Sequence, residues 1–139
     1  MALVHCTIRI QTTGDCDVHD VTEEVEEQVS VSPVKCGVVT VSVPGSTAAV
    51  TTCEFEPGMV RDLKAIFEEL VPRARDWAHN RTWGDANGHS HLRASLVGPS
   101  LSLPIIDGQV SRGRWQQIVV IDFDNRPRDR TVDVLILGE

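Results

Sequence analysis

From Cys6 to Gln11 apolar and polar residues alternate, and residues 3–11 predict a half-buried strand. Thr12-Thr13-Gly14-Asp15 closes it with turn-forming residues. Asp20, with Glu23 three residues on, has the pattern of a capping box opening a helix. Val21, Val25 and Val29 give that helix one apolar face, Glu23, Glu24, Glu26 and Glu27 give it a solvated one, and Pro33 ends it. Gly37–Val43 and Ser46–Phe55 are rich in β-branched residues and predict two strands joined as a hairpin through Pro44-Gly45. Pro57 suits the first position of a second helix, whose stripe is Val60, Leu63, Ile66, Phe67 and Leu70. Residues 72–91 show no apolar period and predict an irregular segment. His89–Val97 reads either as a helix, with Leu92 and Leu96 on one face, or as a strand, with Leu92, Ala94 and Leu96 alternating; Gly98-Pro99 favours the helix. Ser100–Ile106, Trp115–Phe123 and Thr131–Leu137 predict three further strands, with Asp107-Gly108 as a turn. About six strands and two or three helices, not regularly alternating, predict an α+β fold with a mainly antiparallel or mixed sheet.

A chain of 139 residues with 41% hydrophobic residues fits one domain, spanning residues 1–139. No apolar run approaches a membrane span, and the first residues lack the marks of a signal peptide, so the expected location is the cytoplasm. A net charge of −7 argues against nucleic acid and anionic membranes as partners. Eleven of the thirteen basic residues are arginines, the side chain best shaped for phosphate and carboxylate. The four cysteines, Cys6, Cys16, Cys36 and Cys53, have no metal or redox spacing and are expected as reduced thiols in the core or on the N-terminal strands.

Chemistry concentrates in Asn87–Ser95, which holds His89, His91, Arg93 and Ser95, with His79 and Asp85 just upstream. Imidazoles ligate zinc and move protons near neutral pH. Histidines two residues apart share a face of an extended segment and diverge on a helix. A metal site on His79, His89 and His91 and a set of satisfied polar histidines both remain open at this point. Asp122 and Asp124 end the most apolar strand, where they could hold Mg²⁺ on a diphosphate or simply balance Arg126, Arg128 and Arg130. Pro44–Ala48 could offer backbone N–H groups to an anion, and Trp115-Gln116 could stack on a flat heterocycle. No nucleophile elbow, catalytic cysteine context or dinucleotide fingerprint is present.

Pro44–Val50, Asn87–Leu96, Gly98-Pro99-Ser100, Trp115–Ile118 and the closing Gly138-Glu139 together resemble the YjbQ family of secondary thiamine-phosphate synthases. The resemblance implies a compact α+β fold assembled as a homotrimer, with a polar cavity lined by the histidine motif and the Trp-Gln strand. It implies weak transferase activity, in which a thiazole phosphate displaces pyrophosphate from a hydroxymethylpyrimidine diphosphate. It also implies a metal held by histidines; with the residue chemistry above, the expected cofactor is a divalent metal, zinc or magnesium. Carried onto this chain, His79 and His91 match the family's recurrent histidines and Gln116 its Trp-Gln pair; together with Asp85 and Asp122, singled out by their chemistry and position, they are the candidate catalytic residues. Ser46, Thr47 and Trp115, which match the family's hydroxyl-bearing turn and Trp-Gln pair, join Asn87, Arg93, Ser95 and Arg128, chosen for their residue types, as the candidate contacts to a phosphorylated small-molecule substrate. His79, His89 and His91 become the candidate metal ligands. The chain departs from the family pattern at Gly45, where a histidine is common, at Trp77, where a tyrosine is common, and at Arg114, where a threonine is usual. His89 is the candidate replacement for the histidine missing at Gly45.

Overall fold

The alternating N-terminal stretch forms β1 (Ala2–Thr12), and the C-terminal stretch forms β8 (Arg128–Gly138). The two pair antiparallel over their full length, from Ala2 opposite Gly138 to Thr12 opposite Arg128. This is a computed structural model, and it describes residues 1–139. Between these strands run β2 (Asp17–Asp20), α1 (Thr22–Val31), β3 (Cys36–Ser42), β4 (Ala48–Cys53) and α2 (Pro57–Leu70). Then come α3 (Asn80–Trp83), α4 (Gly88–Val97), β5 (Ser100–Ile106), β6 (Gln109–Val110) and β7 (Gln117–Asp122). The strands form a five-stranded sheet in the order β1-β8-β3-β5-β6 and a three-stranded sheet in the order β2-β7-β4. All pairings are antiparallel, so the α+β expectation of about six strands or more holds, with eight strands, and with four helices in place of two or three.

The apolar run at Ile118–Ile121 has a physical reason. Strand β7 is covered on both faces, so it needs apolar residues at both parities. Ile118 and Val120 join a core with Val21, with Val25 and Val29 of α1 and with the inner face of the five-stranded sheet (Val39, Val41, Val132, Val134, Ile136). Val119, Ile121 and the following Phe123 join a second core with Ala49, Ala94 and Phe67 of α2. Phe67 meets Phe123 edge-on, with ring centroids 4.8 Å apart. Helix α2 starts as its sequence predicts, with Pro57 in the first turn, and Glu56 caps it by accepting from the Gly58 and Met59 amides.

The predicted hairpin of residues 37–55 does not form. Strand β3 pairs with β5 and β8, while β4 pairs with β7 in the other sheet. Pro44-Gly45 is a crossing between sheets, with Gly45 at φ +120°, rather than a reversal within one. Both strands bury residues on non-local neighbours, and that burial outweighs local proximity. Asp20 does not open α1 with a capping box. Its carboxylate takes the Thr22 amide at 3.0 Å, and Thr22 is the first helical residue. Asp17–Asp20 is instead a short strand made by pairing with β7, a role its polar sequence does not advertise. Of the cysteines, Cys16 is buried, which pushes its thiol up to about 11, while Cys36 is exposed rather than in the core. No helix is long and apolar enough to cross a membrane.

Candidate functional site

The segment 72–91 is less irregular than its composition suggests, because a short helix and a glycine organise it. The backbone amide of Gly88 donates to Asn80 Oδ1 at 2.9 Å. A Cβ at Gly88 would lie 2.8 Å from that oxygen, 2.9 Å from Trp77 Cβ and 3.2 Å from His79 Cβ. Gly88 is therefore required for the close approach of α4 to the residues around α3. That approach sets the rings of His79 and His91 4.3 Å apart and tilted by 39°. His79 Nδ1 is buried with no partner in the chain. Burial, followed by the neighbouring His79, holds the His91 pKa below the usual imidazole value.

The facing wall comes from the β3–β4 crossing and the start of β8. Here Asp122 and Asp124, both fully buried, each clamp an arginine. Arg130 donates Nε to Asp122 Oδ2 at 2.8 Å and Nη2 to Asp122 Oδ1 at 3.0 Å. Arg128 donates Nε to Asp124 Oδ2 at 2.8 Å. Thr47 joins the two pairs: its hydroxyl accepts from Arg130 Nη2 at 2.7 Å and donates to Asp124 Oδ2 at 3.2 Å. Burial alone would raise the Asp124 pKa, but the Asn125 amide and Arg128 outweigh it and hold it low. Between the two walls lies an open polar cavity of about 410 Å³. Gly45, Ser46 and Thr47, His79 and His91, Trp83, Asp85 and Asn87, and Arg128 and Arg130 line it.

The structure thus gathers His79, His91, Asp85, Asn87, Ser46, Thr47 and Arg128 from the sequence-predicted residues. It places others elsewhere. His89 is buried on the far side of α4, as two residues along a helix require, and its Nδ1 has no partner. Arg93 is also buried there, donating to the Val71 carbonyl at 2.9 and 3.0 Å and to Glu68 at 2.8 Å. The Ser95 hydroxyl donates to the His91 carbonyl at 2.8 Å, on the exposed side of the helix. Asp122 stands behind Arg130 and does not line the cavity. Trp115 and Gln116 lie beyond the opposite end of β7 from Asp122, about 20 Å away at the rise of a strand. Trp115 is 60% exposed, and Gln116 Nε2 donates to Thr52 Oγ1 at 3.2 Å. Within one chain they do not meet the histidines.

Arg130 and Trp83 line the cavity although neither is among the candidates singled out from the sequence. Arg128 and Arg130, two apart on a strand, share a face and match the spacing of Asp122 and Asp124. Trp83 gave no signal, because its place depends on α3. The proposed metal set is not assembled. No three His, Cys, Asp or Glu side chains stand where they could hold a metal ion. His79 and His91 are neighbours, but His89 faces away from them.

Residues 6–139 match the family described as "UPF0047 protein YjbQ-like". The chain belongs to the YjbQ/UPF0047 family. A UPF0047 protein of Archaeoglobus fulgidus is 34% identical over 130 residues, covering 94% of this chain and 98% of that protein. The UPF0047 protein YugU of Bacillus subtilis is 30% identical over 134 residues, covering 95% and 98%. Among solved structures, a YbjQ-like protein of unknown function from Sulfolobus solfataricus P2 superposes with a TM-score of 0.94 at 33% identity, covering 99% of both chains. A hypothetical protein of Aeropyrum pernix K1 gives a TM-score of 0.90 at 36% identity, covering 98% of this chain and 99% of that one.

Proposed function

We propose that this YjbQ-family chain binds a phosphorylated small molecule in the His79–Arg130 cavity and forms thiamine phosphate there as a secondary activity. The observation that carries this reading is the convergence of Arg128, Arg130, His79, His91 and two hydroxyl-bearing residues on one cavity of about 410 Å³. A pocket of that size accommodates a phosphorylated heterocycle, and its polar lining favours an anionic ligand.

In the proposed reaction the thiazole nitrogen attacks the exocyclic methylene carbon of the hydroxymethylpyrimidine diphosphate. A C–N bond forms, the C–O bond to the diphosphate breaks, and pyrophosphate leaves with that electron pair. The developing negative charge falls on the leaving oxygen, so a fixed guanidinium next to it lowers the barrier. His91, whose pKa is lowered by burial and then by His79, is shifted toward the neutral form that can accept a hydrogen bond from a hydroxyl or amine of the substrate. Trp83, 78% exposed at the cavity rim, offers a flat face for a pyrimidine ring.

Purified protein supplied with both precursors should release thiamine phosphate, and folded His91→Ala and Arg128→Gln variants should lose it by tenfold or more. Equal product from wild type and both variants would remove the cavity from the reaction.

A homotrimer, which the family resemblance implies, is part of the same proposal. The outer face of the five-stranded sheet carries no helix. Leu3, Leu135, Leu137 and Ile106 stand exposed on it, with Leu3 directly opposite Leu137. Such a patch on a sheet face suits contact between subunits. Sedimentation should give three times the chain mass of 15.3 kDa; a monomer would refute it. A binding protein of the same assembly without turnover is the alternative, and ligand binding with no product would select it.

A further inference from the structure

We infer that the cavity holds the oxyanion of its ligand directly on Arg128 and Arg130, with no divalent cation between protein and ligand. This rests on the phosphorylated-ligand reading above and narrows it to a metal-free mode of binding.

The carboxylates that a metal would need are already committed. A carboxylate presents about four lone-pair positions. On Asp122, Oδ1 accepts from the Asp124 amide at 2.9 Å and from Arg130 Nη2 at 3.0 Å. Its Oδ2 accepts from Thr12 Oγ1 at 2.6 Å and from Arg130 Nε at 2.8 Å. Asp124 Oδ1 accepts from the Asn125 amide at 2.8 Å, and its Oδ2 takes Arg128 Nε and Thr47 Oγ1. Both acids are fully buried behind the arginines they hold. What remains on the cavity wall is one acid, Asp85, and a pair of imidazoles. A cation set beside that pair would face two guanidinium groups lining the same space, and like charges repel there.

The arginines, by contrast, are prepared for an anion. Arg130 spends Nε and Nη2 on Asp122 and Thr47, and Arg128 spends Nε and Nη2 on Asp124. In each the Nη1 is left out of these pairs. Arg130 Nη1 lies 2.9 Å from the point where a Cβ on residue 45 would sit. Glycine at position 45, at φ +120°, therefore leaves the space into which that terminal group projects. Two guanidinium groups, fixed from behind and each with a spare terminal nitrogen, form a ready receptor for phosphate oxygens.

The test is calorimetric titration of inorganic pyrophosphate into the full chain, once with a chelator and once with added Mg²⁺ or Zn²⁺. The expected result is saturable binding in the chelated buffer, weakened at least tenfold in Gly45→Ala and in Arg128→Gln. Gly45→Ala removes no polar group and sits on the surface, and circular dichroism of both variants checks that they are folded. Binding seen only with a divalent metal overturns the inference while leaving the phosphorylated-ligand reading intact. Wild-type affinity in both variants also overturns it, because the oxyanion then sits elsewhere. Absence of binding in either buffer overturns the inference and the reading together.

Discussion

Arg130 grips Asp122 at two points, Nε to Oδ2 at 2.8 Å and Nη2 to Oδ1 at 3.0 Å, and this pair joins the buried end of β7 to the wall of the cavity. Asp122 is fully buried and the Arg130 side chain is only 10% exposed. Removing one partner leaves the other charge without its main counterpart at a largely buried corner. Asp122→Asn should therefore lower unfolding stability by roughly 3 kcal/mol. Urea denaturation measures it, and a loss below about 1 kcal/mol would show that the pair does not hold this corner together.

Gly88 should be as sensitive for a steric reason. A methyl group there meets the Asn80 side chain and the Cβ atoms of Trp77 and His79 at 2.8 to 3.2 Å. Gly88→Ala should cost about 1–3 kcal/mol and separate the His79 and His91 rings. Thermal melting reports the first effect, and histidine ring chemical shifts report the second. An unchanged melting temperature would mean that the α3–α4 contact relaxes freely.

Arg93 separates a structural role from a binding one. It lies in the motif that predicts the site, yet it is buried against the Val71 carbonyl and Glu68, away from the cavity. Arg93→Gln should lower the melting temperature and leave the pyrophosphate affinity of the folded protein within twofold of wild type. A tenfold loss of affinity at unchanged stability would place Arg93 back among the ligand contacts.

His89 predicts a pH dependence. Burial, then Arg93 and Arg73, depress its pKa, against the opposing pull of Asp15 and Glu68. In the unfolded chain it titrates near its ordinary value of about 6.5. Below that pH the unfolded state binds more protons than the folded state, so stability falls as pH falls towards the folded pKa. His91 acts in the same direction. The stability contributed by His89 is fully present above about pH 6.5 and lost below it, with a slope of at most about 1.4 kcal/mol per pH unit. Chemical denaturation between pH 7.5 and 5 should show a shallower slope in His89→Gln than in wild type. Equal slopes would mean that His89 titrates alike in both states.

The sequence exposes what depends on local pattern. Pro57 and the Leu63–Phe67 stripe place α2, Gly98 terminates α4, and the run Ile118–Ile121 marks the most buried strand. It conceals what depends on partners far along the chain. Strand β2 exists because β7 pairs with it, and β3 and β4 part because each finds its neighbour in a different sheet. The site follows the same division. His79, His91, Asp85 and Thr47 are legible as chemistry, but the placing of Arg130 behind Gly45 and the turning away of His89 follow from helix phase and sheet crossing. The motif Asn87–Ser95 is continuous in sequence and split in space, one side facing the cavity and the other the core beneath α2.

Whether Arg128 and Arg130 receive the oxyanion is decided by a crystal structure of the protein soaked with inorganic pyrophosphate. Density for the anion is expected between Arg128, Arg130 and the His79–His91 pair, with a terminal arginine nitrogen within hydrogen-bond reach of a phosphate oxygen. Pyrophosphate bound elsewhere on the protein, for example against Trp115, with the His79–Arg130 cavity empty, would contradict it.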